Sequence, residues 1–229
     1  MVRLEGVGVR YGVAPAGVAP AGAAPDALVG VNLALPQGAF AWVIGRSGAG
    51  KTTLLRLLQL VMPPTHGRVM VLDHDAGGSD RAARAVLRRR IGCIRATPLL
   101  LDAMTVFDST ALPLRLDRRP EAIVRADVGE LLGWLGLAGK AGLPTAVLTL
   151  GERHLVEIAR AVAAQPALLL ADEPTANLDD AMADQVMRLL WEMHALGTTV
   201  LVATHDERWP ARLAGTLVRL DRGRRVDGG

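Results

Sequence analysis

The sequence contains a single cysteine, Cys93, and only two lysines, Lys51 and Lys140, in 229 residues. One cysteine allows no disulfide within the chain, which is typical of a reducing compartment. The rest of the 26 basic residues are arginines, so the net charge of +3 indicates a compositional bias more than a surface for nucleic acid. In such a chain Lys51 stands out, because a compact ammonium suits a phosphate ligand.

The sequence also has no apolar segment of the kind that signals secretion or spans a membrane. The first nine residues include Arg3 and Glu5 where a secretory signal needs an apolar core. The longest uncharged run of interest, residues 27–45, is interrupted by Asn32, Pro36 and internal glycines. A spanning helix needs about 20 mostly apolar residues, so we expect a protein that is soluble or held at a membrane by a partner.

Strand-like and helix-like patterns alternate along the chain, which predicts an α/β fold with a largely parallel sheet. The strand-like segments are residues 2–9, expected at a sheet edge, and 28–35, 39–44, 68–72, 91–94, 167–171 and 199–203. Helical patterns cover 51 to about 60, 79–90 and a long stretch, 96–165, with turn signals at Pro98, Pro113, Pro120 and Pro144. That stretch predicts a helical subdomain. The near-repeat VAPAG in residues 13–25 predicts a flexible hairpin loop.

The segment GRSGAGKT, residues 45–52, fits the phosphate-loop pattern G-x-x-x-x-G-K-[ST] between a strand and a helix. Backbone amides of such a loop wrap phosphates, its lysine reaches them, and its hydroxyl can bind Mg²⁺. A glycine-rich turn that ends in Lys-Thr by chance is the plainer alternative. The candidate ATP-binding residues are Gly45, Arg46, Ser47, Gly48, Ala49, Gly50, Lys51, Thr52 and Thr53.

Two acidic residues and a histidine follow other buried strands. Asp172 ends the strand-like run LLLAD and Glu173 follows it, at the sheet edge where parallel sheets place ligands. We predict that Asp172 holds Mg²⁺ together with Thr52, and that Glu173 activates a water. His205 follows the next strand and is a candidate contact to a terminal phosphate. The alternatives are an acidic turn and a structural histidine.

In this order, the phosphate loop, Asp172-Glu173, the ANLDD stretch at 176–180 and His205 resemble an ABC-type ATPase domain over nearly the whole chain. Tyr11 stands where that family has an aromatic residue that stacks on adenine. Longer sequence segments, such as LLLADEPTANLDD and LVATHD, resemble the cell-division ATP-binding family FtsE more specifically. Lipoprotein-release and macrolide-export ATPases are its relatives.

The resemblance implies one P-loop NTPase domain, residues 1–229, with a mostly parallel core (about 1–95 and 166–229), an antiparallel β edge and a helical subdomain (about 96–165). It implies a homodimer that encloses two ATP molecules with Mg²⁺, with Asn177, Leu178 and Asp179 in the dimer loop. It further implies a peripheral subunit at the cytoplasmic face of the inner membrane. Its partner would be an FtsX-like subunit or an exporter permease, and no nucleic acid is expected.

The chain departs from this family at two places in the predicted site, and also in the VAPAG loop, which lengthens the hairpin between Tyr11 and Leu28. Ala96 occupies the position of a glutamine that touches Mg²⁺ and the attacking water, and alanine can neither coordinate nor donate. The signature turn, which reaches the ATP of the opposite subunit, reads Thr149, Leu150, Gly151 and Glu152, with leucine in place of a glycine. Thr149 and Glu152 equally fit a capping box that starts an ordinary helix.

These patterns predict an FtsE-like ATPase with weak or partner-dependent hydrolysis. An exporter ATPase and a nucleotide-gated scaffold with little hydrolysis remain alternatives, while a P-loop kinase does not explain Glu173 or His205. We expect the partner to dock near residues 95–110, at the apolar Leu99-Leu100-Leu101 and Met104, unless these side chains are simply core.

Overall fold

The computed structural model describes residues 1–11, 26–78 and 80–226 and has two β-sheets. The larger sheet has six strands in the order β10-β9-β3-β8-β7-β6, and all but β10 run parallel to their neighbours. Its strands are β3 (Phe40–Ile44), β6 (Ile91–Ile94), β7 (Leu168–Asp172), β8 (Thr199–Thr204), β9 (Thr216–Asp221) and β10 (Arg224–Val226). The predicted parallel core is therefore confirmed.

The antiparallel strands form a second sheet with the order β2-β1-β4-β5. These are β1 (Val2–Arg10), β2 (Asp26–Leu35), β4 (His66–Val71) and β5 (His74–Asp75). The prediction that residues 2–9 form an edge strand is wrong, because β1 pairs with β2 on one side and β4 on the other. Its weak alternation fits an edge or an inner strand equally well, and only the distant partners decide between them.

Seven α-helices connect and flank the strands in the described part of the chain. They are α1 (Lys51–Leu58), α2 (Arg81–Arg89), α3 (Val106–Leu116), α4 (Glu121–Trp134), α5 (Leu150–Ala163), α6 (Asp180–Ala195) and α7 (Arg208–Arg212). Pro113 does not mark a turn, as predicted, but lies inside the last turns of α3. Proline removes one backbone donor, and the buried Ala111 and Leu114 beside it keep the helix packed.

The six-stranded sheet is buried on both faces, which accounts for its continuous apolar strands. On one face Phe40, Trp42 and Ile44 pack with helices α3 to α6. On the other face Ala41 and Val43 pack with α1 and the antiparallel sheet. The helices of the predicted helical subdomain share their core with the first face, and the division of the domain stays a proposal.

Three further points compare the sequence with the structure: two strands that were not predicted, the VAPAG loop and a membrane-spanning helix. Strands β9 and β10 were not predicted, because the short polar-flanked run 216–226 carries little apolar periodicity. The VAPAG segment, residues 13–25, lies outside the described residues, so the predicted hairpin loop stays a prediction. Among the described residues, no helix combines the length and apolar character needed to cross a membrane.

Candidate active site

A cleft of about 1180 Å³ opens at the carboxyl ends of the parallel strands. The turns after β3, β7 and β8 meet there, as expected for ligand sites in parallel sheets. The phosphate loop, Asp172-Glu173 and His205 all line this one cleft. The structure thus brings the phosphate loop together with two groups, Asp172-Glu173 and His205, that lie more than 100 residues later in the sequence.

The loop between β3 and α1 lines the cleft with backbone that only glycine adopts readily at two positions. Gly48 and Gly50 have φ angles of +78° and +104°, in the left-handed region that favours glycine. A Cβ atom at Gly50 would also stand only 2.7 Å from the carbonyl oxygen of Ala27. Gly50, the N-cap residue of α1, makes no side-chain capping hydrogen bond, so the first amides of the helix are available to an anion at its positive end.

The ammonium of Lys51 points back into the loop. Its Nζ donates to the carbonyl oxygens of Gly45 at 2.6 Å and Arg46 at 3.4 Å, and lies 3.7 Å from Oε1 of Glu173. The residue is only 8% exposed. A buried ammonium surrounded by carbonyl and carboxylate oxygens is placed to exchange them for phosphate oxygens.

Thr52 and Asp172 form the candidate magnesium site. The Thr52 Oγ1 donates to Oδ2 of Asp172 at 2.7 Å, so both oxygens face one point. Burial is the main cause that raises the pKa of Asp172, and the Thr52 hydrogen bond opposes it. In the described residues no cluster of three or more His, Cys, Asp or Glu forms a metal cage. One carboxylate and one hydroxyl fit Mg²⁺, which usually binds through few protein ligands together with phosphates and waters.

Glu173 is held by its neighbours in a strained conformation. Its φ angle is +50°, which is uncommon for a residue other than glycine and is typical of functional turns. Thr204 Oγ1 donates to its Oε2 at 2.8 Å, and the backbone amide of His205 donates to its Oε1 at 3.1 Å. The His205 Nδ1 lies 2.8 Å from the same oxygen. The carboxylate therefore has a fixed direction into the cleft.

Tyr11 and Ala96 also line the cleft. The Tyr11 hydroxyl lies 3.0 Å from Oγ1 of Thr53, so the ring covers the first turn of α1. Its stacking on adenine stays a prediction. Ala96 follows β6 and offers a methyl group at the wall where the family resemblance places a glutamine.

The predicted signature turn lies at the surface, outside the lining of this cleft. The capping box is confirmed: the Thr149 Oγ1 accepts from the amide of Glu152 at 3.3 Å, and Oε2 of Glu152 accepts from the amide of Thr149 at 3.0 Å. Lys140 also donates to Glu152 and lowers its pKa. The Leu150 side chain is 52% exposed, so nothing within the described chain covers it fully.

The predicted dimer loop lies beside this turn. A Cβ atom at Gly151 would stand 3.0 Å from the carbonyl oxygen of Asn177, and Leu178 reaches the wall of the cleft. Asn177 has a φ angle of +64°. Asp179 caps α6 by accepting from the amide of Met182 at 2.8 Å. Contact of these residues with a second subunit stays a prediction.

Residues 28–176 match the protein family described as ABC transporter, and this range contains the phosphate loop, Ala96, the signature turn and Asp172-Glu173. The chain belongs to the ABC transporter family. Proteins of this family bind ATP, generally with Mg²⁺. Its ATP-binding domains dimerise and pair with membrane subunits.

Among the relatives of this ABC chain are proteins with two different names. It is 40% identical to the cell division ATP-binding protein FtsE of Escherichia coli K12, over 86% of this chain and 89% of that protein. It is 38% identical to the methionine import ATP-binding protein MetN of Mesorhizobium japonicum, over 100% of this chain. The chain spans about 60% of the length of the MetN relatives that it matches.

Solved ABC cassettes share the fold. The dimeric cassette MJ0796, in a post-hydrolysis state bound to ADP and Pi, is 29% identical and superposes with a TM-score of 0.90 over 99% of this chain and 97% of that chain. A second dimeric structure of MJ0796 gives a TM-score of 0.88. The ABC-type P-loop fold predicted from the sequence is thus confirmed.

Sequence reasoning missed several residues of this ABC site. Thr204 is the most important, because it donates to Glu173 and also accepts from the amide of Asp206 at 3.1 Å. Its position at the end of a buried strand, directly before His205, was an available signal. Glu207 and Arg219 also line the cleft and form an ion pair at 3.0 Å. No sequence signal points to them, since the pair joins α7's entry turn to β9.

Proposed function

We propose that this chain is the ATP-binding subunit of an ABC complex, which binds MgATP and hydrolyses it slowly to drive a membrane partner in cell division. One observation carries the proposal: Lys51, Thr52, Asp172, Glu173 and His205 face one cleft in mutually hydrogen-bonded or ion-paired positions. The joint geometry of these five side chains supports phosphate binding and water activation far better than any one motif.

Each side chain has a distinct task in this proposal. The loop amides and Lys51 bind the β- and γ-phosphates. Thr52 and Asp172 hold Mg²⁺, which neutralises charge on the phosphate oxygens when it is bound. Glu173 accepts the proton of the attacking water, and Thr204 keeps its carboxylate directed. His205, whose side chain is 74% exposed to the cleft, donates to the γ-phosphate.

Two positions make hydrolysis weak or dependent on the partner. Ala96 offers no ligand for Mg²⁺ or water at the cleft wall. Leu150 places an exposed branched side chain at the turn that should approach the ATP of the second subunit in a homodimer. Loss of one positioned donor typically lowers a rate by roughly 10²–10³, so a slow enzyme is the expected result.

The cell-division role rests on the 40% identity with FtsE across most of both chains. Transport is the second candidate function, because the 38% identity with a methionine import protein covers this whole chain. The membrane partner is accordingly an FtsX-like subunit or a transporter permease. A scaffold that binds ATP without turnover is the third outcome. We place the subunit at the cytoplasmic face of the membrane, held by this partner.

The test is phosphate release by the purified chain, alone and together with the membrane protein encoded next to it. We expect MgATP binding in both cases and a rate that rises with the partner. Binding without release in either case would favour the scaffold, and absence of binding would contradict the proposal. A neighbouring four-span membrane protein favours the FtsE-like role, and a transporter permease favours transport.

The burial of the leucines in residues 99–101 supports a more specific docking site for that partner. Leu100 is buried, with 7% exposure, and belongs to the core, whereas Leu99 is 65% exposed. Leu99 lines a groove between the core and helix α3, together with Leu112 and Leu116. We therefore propose this groove as the docking site. A Leu99→Asp variant is a sounder test than one at Leu100, whose replacement would unfold the core.

A further inference from the structure

The proposed docking groove has walls of one charge sign. It has a volume of about 430 Å³ and shares no lining residue with the ATP cleft. Among the described residues that line it, four are arginines and none is acidic; the arginines are Arg88, Arg89, Arg95 and Arg160. Exposed apolar side chains at Val61, Leu99 and Leu116 stand among them. By charge complementarity, these walls fit an apolar segment that carries acidic side chains.

Two of the arginines are free to meet such a segment. Arg88 and Arg89 are exposed in the last turn of α2. Neither forms an ion pair with any residue in the ranges that the structure describes. An occupant with carboxylates would therefore find two arginines that form no ion pair with the described part of the chain.

The other two arginines share one buried carboxylate. Glu157 on α5 is fully buried, and its Oε1 accepts from Nη1 of Arg95 at 2.9 Å and from Nη2 of Arg160 at 3.2 Å. Burial raises the pKa of Glu157, and the two arginines oppose this effect. Since Arg160 is itself mostly buried, Glu157 would keep a cationic partner if Arg95 moved away.

Arg95 connects the groove with the ATP cleft. Its side chain is 40% exposed and lines the groove, while the next residue, Ala96, lines the ATP cleft. The two residues share one peptide unit, directly after β6. A displacement of the Arg95 side chain that shifts this backbone therefore also moves the next residue, Ala96, at the wall of the ATP cleft.

We propose that an acidic side chain of the membrane partner binds Arg95 in this groove in exchange for Glu157, and that the exchange shifts Ala96 in the ATP cleft. Arg88 and Arg89 provide further contacts for acidic groups on the same segment. The inference rests on the proposed function, because it takes the occupant of the groove to be a segment of the membrane partner.

The test uses two synthetic helical peptides with leucines at helical spacing. One peptide carries two glutamates on the flank of its leucine face, and the other carries glutamines there. We expect the glutamate peptide to bind the wild-type chain about tenfold more tightly, measured by calorimetry at low salt. The proposed coupling predicts that this peptide also changes the affinity for AMP-PNP at least about threefold, and linkage makes the effect reciprocal.

Arg95→Gln should remove most of the preference for glutamate and the effect on AMP-PNP. Arg188→Gln is the matched control, because Arg188 is an exposed arginine on α6 outside both cavities and should retain both effects. Glu157→Gln frees Arg95 without a peptide, so it should shift AMP-PNP affinity in the same direction as the glutamate peptide, and circular dichroism checks that it folds.

Equal binding of the two peptides, or no binding of either, would overturn the inference. So would a preference that survives in Arg95→Gln, or a peptide that leaves AMP-PNP affinity unchanged. These failures are distinct from failure of the proposed function, in which AMP-PNP itself does not bind to the wild-type chain.

Discussion

The floor of the ATP cleft and the first turn of α5 are both well hydrogen-bonded, but for different purposes. At the cleft floor, the side chains of Lys51, Thr52 and Glu173 form hydrogen bonds to other groups of the site. A phosphate and a metal ion could replace some of these partners. At α5, Thr149 and Glu152 bond each other and merely begin a helix. The groups that face the ATP cleft within the chain match the family resemblance except at Ala96, whereas the turn expected to act on a second subunit carries Leu150 in place of a glycine.

The difference shows which part of the function is expected to be intact. ATP binding depends on strand ends whose positions the sheet fixes. Rapid hydrolysis is expected to need, in addition, the groups that Ala96 and the Leu150 of an opposing subunit do not supply. The following predictions test this separation of binding from turnover, beginning with the largest expected effect.

Lys51→Ala should remove ATP binding, and with it all hydrolysis. The ammonium supplies charge-assisted hydrogen bonds to phosphate, and its loss should weaken the affinity by about 100-fold or more. Isothermal titration calorimetry gives the affinity. Lys140→Ala is the matched control, since Lys140 is the other lysine of the chain and binds Glu152, outside the cleft. Unchanged affinity in Lys51→Ala would show that phosphate is bound elsewhere.

Glu173→Gln should lower the rate of phosphate release by at least about 100-fold while ATP affinity stays within a few-fold. Glutamine keeps the size of the side chain but cannot accept the proton of the water. Glu207→Gln is the control, because Glu207 also lines the cleft and pairs with Arg219. Equal rates for Glu173→Gln and wild type would mean that another residue is the base, or that none is needed.

Ala96→Gln and Leu150→Gly should repair turnover cooperatively. Ala96→Gln alone should raise the rate a few-fold at most, and Leu150→Gly alone should promote ATP-dependent dimers seen by light scattering. Because both changes act on one transition state, the double variant should exceed the product of the single effects. A wild-type rate of about 1 s⁻¹ or more, within the usual range of enzymes, would show that neither position limits hydrolysis.

Mg²⁺-dependent ATP affinity should fall when the pH is lowered, and should begin to fall at a higher pH than an ordinary aspartate would allow. Burial raises the pKa of Asp172, and only the ionised carboxylate binds the metal. The expected loss is several-fold between pH 7 and the pKa of this group. Asp172→Asn should show weak Mg²⁺ dependence at every pH tested. A flat profile in wild type would exclude Asp172 as a ligand.

Thr149→Ala should lower stability slightly and leave ATP affinity unchanged. Loss of a capping hydroxyl typically costs about 1 kcal/mol, or roughly 2–4 °C in Tm for a chain of this size. Differential scanning calorimetry measures the shift. Thr216→Ala, at the exposed start of β9, is the control and should have a smaller effect. A large loss of monomer ATP affinity would show that the turn belongs to its own cleft.

Much of the fold and of the binding site could be predicted from local patterns. The phosphate loop, the strand that ends at Asp172 and the capping box at Thr149 each depend on residues close together in the sequence. The inner position of β1, the role of Thr204 and the pairing of Arg95 with Glu157 could not be predicted in this way. Each depends on partners far apart in the chain, and local periodicity carries no information about them.

The sequence by itself determined the kind of ligand, because the spacing from Gly45 to Thr52 sets loop conformation and charge locally. It also determined the two departures at Ala96 and Leu150, since the absence of a functional group is visible in any fold. Only the tertiary structure decided that Leu100 is core and Leu99 is surface, and that Arg95 and Ala96 face different cavities. The reason is geometric: consecutive residues of a loop have no fixed period, so packing against α3 and α5 sets their directions.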